Sequence, residues 1–417
     1  MRPTSLAAVA TLSLVLLGCP EAEEQPQPPA TEAPEPDPEP DPDPDPEPDE
    51  AEEGAWEELP EAPIAGRFNH TTTWADGLVI VWGGQDQDAP AIADDGAAYD
   101  PVTREWQQIP AAPIEGRWAH EAVWSGEELI VWGGTAGPDH LADCYDDGAR
   151  YDPAAGEWQA IPEAPGDRRC AAAVVWADDE LLVFGGHRDN GPPGPGDRFD
   201  DGLAYDPATD QWRELPPAPL EPRAGAIAVW TGNELIVYGG HTQADAGEGF
   251  EYLTDGAAYD PATEQWRPIE DAPLPPRAGQ HGVWVGDELV VLGGDDPDPD
   301  AAAAGGEAAA YDPADDSWST LADNPWPEAD FTPVLADDVV YLLGSGSPDP
   351  GPDGETPEDP PAFAAYLIEE DQWIERPDPP DGPRMHHDLA WTGAQLVVWG
   401  GQAQEEPADG ILWDPPA

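Results

Sequence analysis

Leu129-Ile130-Val131-Trp132-Gly133-Gly134 is an apolar run that stops on two glycines, and the chain repeats it. Working outward, Arg117 stands sixteen residues and Trp124 nine residues before Gly133, while Asp147-Gly148, Tyr151-Asp152-Pro153 and Trp158 follow. The first Gly of the pair recurs at Gly83, Gly133, Gly185, Gly239, Gly293 and Gly400, with a degraded copy at Gly344. The sixteen-residue step leads back to Arg67, Arg117, Arg169, Arg223, Arg277 and Arg384, and to Glu328 in the degraded copy. The nine-residue step leads to Trp74, Trp124, Trp176, Trp230, Trp284 and Trp391, and to Leu335. In the second half, Tyr99, Tyr151, Tyr205, Tyr259, Tyr311 and Tyr366 each precede a Trp by seven residues. Eleven residues then separate that Trp from the next Arg in every intact copy.

Each unit divides into short β-branched and aromatic runs separated by turn residues, such as Ser125-Gly126-Glu127-Glu128 and Asp152-Pro153-Ala154-Ala155-Gly156. That pattern predicts strands joined as an antiparallel meander. Four-stranded units of about fifty residues predict the blades of a β-propeller, because one such sheet cannot bury its faces alone. Sixteen of the nineteen Trp fall in three repeat columns, which assigns them to packing between blades. Only the segment from Gly-Gly to Tyr varies, from thirteen to twenty-two residues, so one loop per blade absorbs the insertions. Such loops gather on one face and carry variable function.

Gly-Gly after an apolar strand, Tyr-Asp-Pro, and Trp at a fixed offset resemble the kelch repeat. The resemblance spans residues 56–417 and implies an all-β, seven-bladed kelch-like propeller with four antiparallel strands per blade. The sixth copy lacks the Arg, the first Trp and the second Gly, which predicts a distorted blade. The last copy ends at Leu412-Trp413-Asp414 without its final Trp strand, whereas Trp56-Glu57-Glu58-Leu59-Pro60 supplies one at the other end. The N-terminal strand is therefore expected to close the seventh blade and remove the exposed edges.

Residues 1–19 read as a secretory signal: Arg2, an apolar core from Leu6 to Leu17, then Leu16-Leu17-Gly18-Cys19. The tetrapeptide resembles a bacterial lipobox, which implies that Cys19 is lipid-modified. The apolar run is short of the ~20 residues that span a bilayer. Residues 20–55 are mostly Pro, Glu and Asp, a disordered spacer without apolar surface to bury. At ~3.1 Å per residue it could hold the propeller roughly 110 Å from a membrane.

The formal net charge is −73, and all fifteen cationic residues are Arg. Such a surface repels nucleic acid and anionic membranes, and without Lys there is no Schiff-base chemistry. Cys144, in the variable loop of the second copy, and Cys170, at the start of the third, fall on the same face of adjacent blades. An exported compartment favours a disulfide between them.

The six Arg sit where they could ring the channel mouth and accept an anion. An acidic column four residues before each Tyr position (Asp95, Asp147, Asp201, Asp255, Glu307, Asp409) argues instead for intrablade pairs. The sixth copy supports this, having lost both partners, to Glu328 and Ala362. His187 and His241 follow Gly-Gly pairs and belong to the loop face, whereas His70, His120 and His387 share an inner-strand packing column. The acidic runs Asp295–Asp300 and Asp197–Asp201 offer oxygen ligands, but neither has the spacing of a defined calcium loop. No resident cofactor is expected, with Ca²⁺ the ion these loops could hold. No nucleophile elbow, metalloprotease motif or phosphate loop appears.

The resulting expectation is a monomeric lipoprotein of the bacterial cell envelope, anchored outside the cytoplasm, on the outer membrane. Its loop face would hold a protein or glycan, and it would touch the membrane only through the anchor. The alternatives are a carbohydrate-active or copper-dependent enzyme with its site at the channel mouth, and a structural envelope protein.

Overall fold

The computed structural model describes residues 54–86, 92–136, 144–188, 198–243, 249–294, 306–326, 331–344, 360–403 and 410–416. Residues 1–53, with Cys19 and the spacer up to residue 53, lie outside the described residues, as do Asp197, Asp295–Asp300, Glu328 and Asp409.

Seven four-stranded antiparallel sheets form, and among the described residues there is no helix. Blade 2 shows the plan. Glu121–Trp124 is innermost, Leu129–Trp132 pairs with it, and Gly148–Asp152 and Glu157–Ile161 follow outward. The innermost strands of all seven blades adjoin one another in a closed ring. Blade 7 takes its outer strand from the other end of the chain, with Ala55–Glu58 pairing Gly410–Asp414 in the register Trp56 to Trp413.

Local chemistry sets the turns. Gly83 and Gly84 have φ of 68° and 93°, left-handed conformations that cost an L-residue strain. A Cβ on Gly83 would also lie 2.6 Å from the His120 ring of the next blade, and one on Gly84 would lie 2.8 Å from the Phe68 carbonyl. The outer hairpins are closed by the Asp of Tyr-Asp-Pro: the Asp100 carboxylate accepts the Val102 and Thr103 amides at 2.8 and 3.1 Å.

The hydrophobic core is divided into seven clusters, one between each pair of neighbouring blades. The cluster between blades 7 and 1, for example, joins Val397, Trp399 and Leu412 to Val79, Val81 and Tyr99. A second device crosses each junction. The outer-strand Trp of every blade donates its indole N–H to a backbone carbonyl just past the outer strand of the preceding blade. Trp106 reaches Pro60, Trp158 reaches Pro110 and Trp212 reaches Pro162, at 2.8–2.9 Å. Trp56 to Pro377 at 2.7 Å makes the same bond at the blade closed by both chain ends. The invariant eleven-residue step follows: this connection must present one carbonyl to one indole at every junction.

Blade 6 corrects the expectation of a distorted sheet. Phe331–Ala336 and Val339–Gly344 pair over six residues in regular register, and the outer strands pair normally. Without a second Gly to turn it, the chain continues in extended form through Gly344.

Candidate functional site

The Arg column lies buried inside its blades. Arg67, Arg117, Arg169, Arg223, Arg277 and Arg384 are each no more than 3% exposed. Each donates from Nη1 to the carbonyl of its own blade's first Gly, from Arg117 to Gly133 at 2.9 Å for example, which is what fixes the sixteen-residue spacing. Five also meet the acidic column: Arg67–Asp95 2.9 Å, Arg117–Asp147 2.8 Å, Arg169–Asp201 3.1 Å, Arg223–Asp255 2.9 Å and Arg277–Glu307 3.1 Å. Arg384 pairs with Asp381. Aromatic faces cover several of the guanidinium groups, with Tyr145 4.2 Å from Arg117 and Phe199 4.4 Å from Arg169. A ring of free cations awaiting an anion is not what these contacts build: the forks are filled by the protein itself.

His70 and His120 are wedges between blades. Each ring stands edge-on to a Trp of the preceding blade, His70 to Trp399 at 5.1 Å and His120 to Trp82 at 5.0 Å. Burial, helped by neighbouring Arg, pushes His70, His120 and His387 down to about 3, so all three are neutral.

Two channel carboxylates escaped the sequence reading. Glu121 and Asp388 stand four residues after Arg117 and Arg384, at the head of the innermost strands of blades 2 and 7. Asp388 accepts the Thr72 amide of the intervening blade at 2.6 Å. Glu121 is an exposed residue, although desolvation beside the inner strands and then Asp388 raise it to about 7; burial raises Asp388 to about 7. The signal was present: only these two copies place an acid at that column, where others have Thr71, Ala173, Ile227, His281 and Thr332.

Beyond the Gly-Gly pairs the chain resumes pairing as a second, shorter tier. Arg67–Phe68 pairs Gln85–Asp86, Arg384–Met385 pairs Gln402–Ala403, and His241–Gln243 pairs Phe250–Tyr252. Over blade 3, His187 bridges to both Cys170 and Arg198. This tier joins Cys144 of blade 2 to Cys170 of blade 3 as a disulfide, with Cα atoms 5.2 Å apart. His241 lies under Phe250, ring centroids 4.7 Å apart, and the Arg198 guanidinium is 4.9 Å from the same Phe250 ring. Burial first, then Arg198 and His187, lower His241 to about 4. Phe250 itself is 47% exposed, a large aromatic presented to solvent.

Between blades 5 and 6 a cavity of about 200 Å³ is lined by Gly279, His281, Gly293, Asn324, Phe331 and Trp373, among others. It lies where copy six departs from the repeat, with Phe331 in the column that elsewhere holds His70, His120, Ala172, Ala226, Gln280 and His387.

The KLHDC2/KLHL20/DRC7 Kelch-repeats domain matches residues 69–294 and 119–345, each more than half of the chain. The chain belongs to the kelch-repeat family. This kelch protein is 26% identical over 234 residues to N-acetylneuraminate epimerase of Haemophilus influenzae (strain 86-028NP), covering 48% of this chain and 62% of the epimerase. It is 27% identical over 204 residues to Kelch-like protein terF of Aspergillus terreus, covering 48% and 42% respectively. It is also 27% identical over 266 residues to Kelch domain-containing protein 3 of Bos taurus, covering 59% and 68%. The solved structure of YjhT shares the fold, with a TM-score of 0.55 at 14% identity, over 76% of this chain and 99% of that one.

Proposed function

We propose that this kelch propeller is a binding module of the bacterial cell envelope, tethered through Cys19 and the acidic spacer, that holds a protein or glycan on its loop face. The observation that carries the reading is Phe250, exposed on a second-tier hairpin and braced by His241 and Arg198. An exposed aromatic beside a cation is the kind of group on which partners anchor. Neutral His241 adds bulk there and no charge. The disulfide between blades 2 and 3 braces the neighbouring loop, lowering the ordering cost of binding.

The test is capture of envelope proteins and of arrayed glycans by the chain lacking residues 1–19, compared with Phe250→Ala and Arg198→Ala. A partner retained by the parent and lost from both variants supports the reading; retention by both overturns it. For the tether, Cys19→Ala should release the protein from membranes and abolish lipid labelling.

Glu121 and Asp388 favour a second reading, a carbohydrate-active enzyme working in the channel. Carboxylic acids that titrate near neutrality suit general acid–base catalysis. N-acetylneuraminate is the substrate to offer first, because a relative is named for its epimerisation. Glu121→Gln should abolish any turnover, and no turnover by the parent protein would leave the binding reading standing.

A further inference from the structure

Cys144, Cys170 and His187 present two sulfurs and a ring nitrogen that all lie within 4.8 Å of one another. Three pieces of architecture bring them together. Cys170 and His187 form a directly facing antiparallel pair, each amide donating to the other's carbonyl at 2.9 Å. Residues so paired project from the same side of the ladder. Cys144 arrives from the adjacent blade, fully buried, in a bridge with Thr135.

We propose that these three residues form a zinc-class metal site in the reduced protein, in exclusive alternation with the disulfide. Two thiolates bound to one zinc at about 2.3 Å sit roughly 3.8 Å apart in tetrahedral geometry, so the two sulfurs, bonded to each other in this structure, must move apart once reduced to take up the metal. Two cysteines and one histidine are a ligand set suited to a borderline-soft d¹⁰ ion. Bonded to each other, the sulfurs offer no thiolate. An external dithiol supplies two electrons and two protons, is itself oxidised to a disulfide, and leaves two thiols here. Zinc(II) then displaces those two protons and takes the His187 ring nitrogen as its third ligand. The fourth position is left for water or a partner's donor group on the loop face. Exchange with an external disulfide, which accepts the two electrons and leaves as two thiols protonated from water, returns Zn²⁺ to solution and re-forms the link between blades 2 and 3. One corner of the loop face thus has two alternative braces, a covalent one and a metal one.

The experiment uses the full chain. It is reduced with a phosphine, freed of reductant, titrated with Zn²⁺ alone, and assayed by atomic emission against oxidised protein, Cys144→Ser/Cys170→Ser and His187→Ala. Cys19 is present throughout and cancels. The reduced protein should hold one more equivalent of zinc than the oxidised protein or the double-serine variant. His187→Ala keeps both cysteines and should bind roughly tenfold or more weakly. Cobalt(II) gives a second readout, a thiolate charge-transfer band in the reduced protein that the double-serine variant lacks. Equal zinc uptake by the reduced protein and the double-serine variant overturns the proposal, as does unchanged affinity in His187→Ala.

Discussion

Replacing Arg223 by Ala separates a structural Arg column from a ligand-binding one. Arg223 is fully buried and donates to the Gly239 carbonyl at 3.0 Å, the Asp255 carbonyl at 3.2 Å and the Glu221 carbonyl at 3.1 Å. It also pairs with the Asp255 carboxylate at 2.9 Å. The substitution strands carbonyls inside the blade and leaves a void, and losing one member of such a buried set costs roughly 3–5 kcal/mol. The ion pair is the smaller part, because Asp255 is 44% exposed and an exposed pair contributes about 0–1 kcal/mol. Asp255→Asn should therefore cost at most about 1 kcal/mol. Arg223→Lys keeps the charge but loses the planar fork, and should resemble Ala more than wild type. Urea unfolding followed by tryptophan fluorescence reads all three. Arg223→Ala within about 1 kcal/mol of wild type, or a larger loss in Asp255→Asn than in Arg223→Ala, would refute the reasoning.

The disulfide closes a separation of 26 residues, so Cys144→Ser/Cys170→Ser should lower stability by about 3.5 kcal/mol, checked by urea midpoint at constant slope. Trp56→Ala removes the bond to Pro377 and ring contacts with Phe363 and Trp413 at 4.9 and 5.1 Å. It should cost about 3 kcal/mol and lower the melting temperature by several degrees; an unchanged melt would count against closure by the N-terminal strand. With His120 held down to about 3, the unfolded chain alone takes up this proton as pH falls below 6.5. Stability is then lost toward acid, by about 1.4 kcal/mol per pH unit per histidine. His120→Gln, the residue that blade 5 carries as Gln280, should flatten that limb by one proton. Glu121, raised to about 7, has the opposite sign. Between about pH 4 and 7 the folded chain keeps a proton that the unfolded chain has released, so stability falls as pH rises, and Glu121→Gln should remove that decline.

Much of this fold was legible because each constant spacing is a contact. Arg to Gly over sixteen residues is a hydrogen bond, and Trp to Arg over eleven is the connection that presents a carbonyl to the next blade's indole. What the sequence concealed is mostly backbone. The acceptors at Pro60, Pro110 and Pro162 are main-chain oxygens, which any residue could supply, so no side chain marks them. The second tier of pairing begins only after left-handed glycines have re-aimed the chain, where alternation of apolar residues no longer reports strands. Blade 6 lost its marker residues yet kept its sheet, because Val339–Gly344 still supplies a fully apolar central strand. Glu121 and Asp388 carry no mark in the repeat's constant columns, because they occupy a position that varies from blade to blade.

Hydrogen–deuterium exchange at residues 55–58 and 410–414 tests most directly whether seven blades close into one ring through the two ends of the chain. Paired as Trp56 to Trp413 and Glu57 to Leu412, these segments should exchange as slowly as the outer strands of blades 1 to 6. Exchange of residues 55–58 at the rate of an unstructured peptide, while the other outer strands stay protected, would contradict the closed ring.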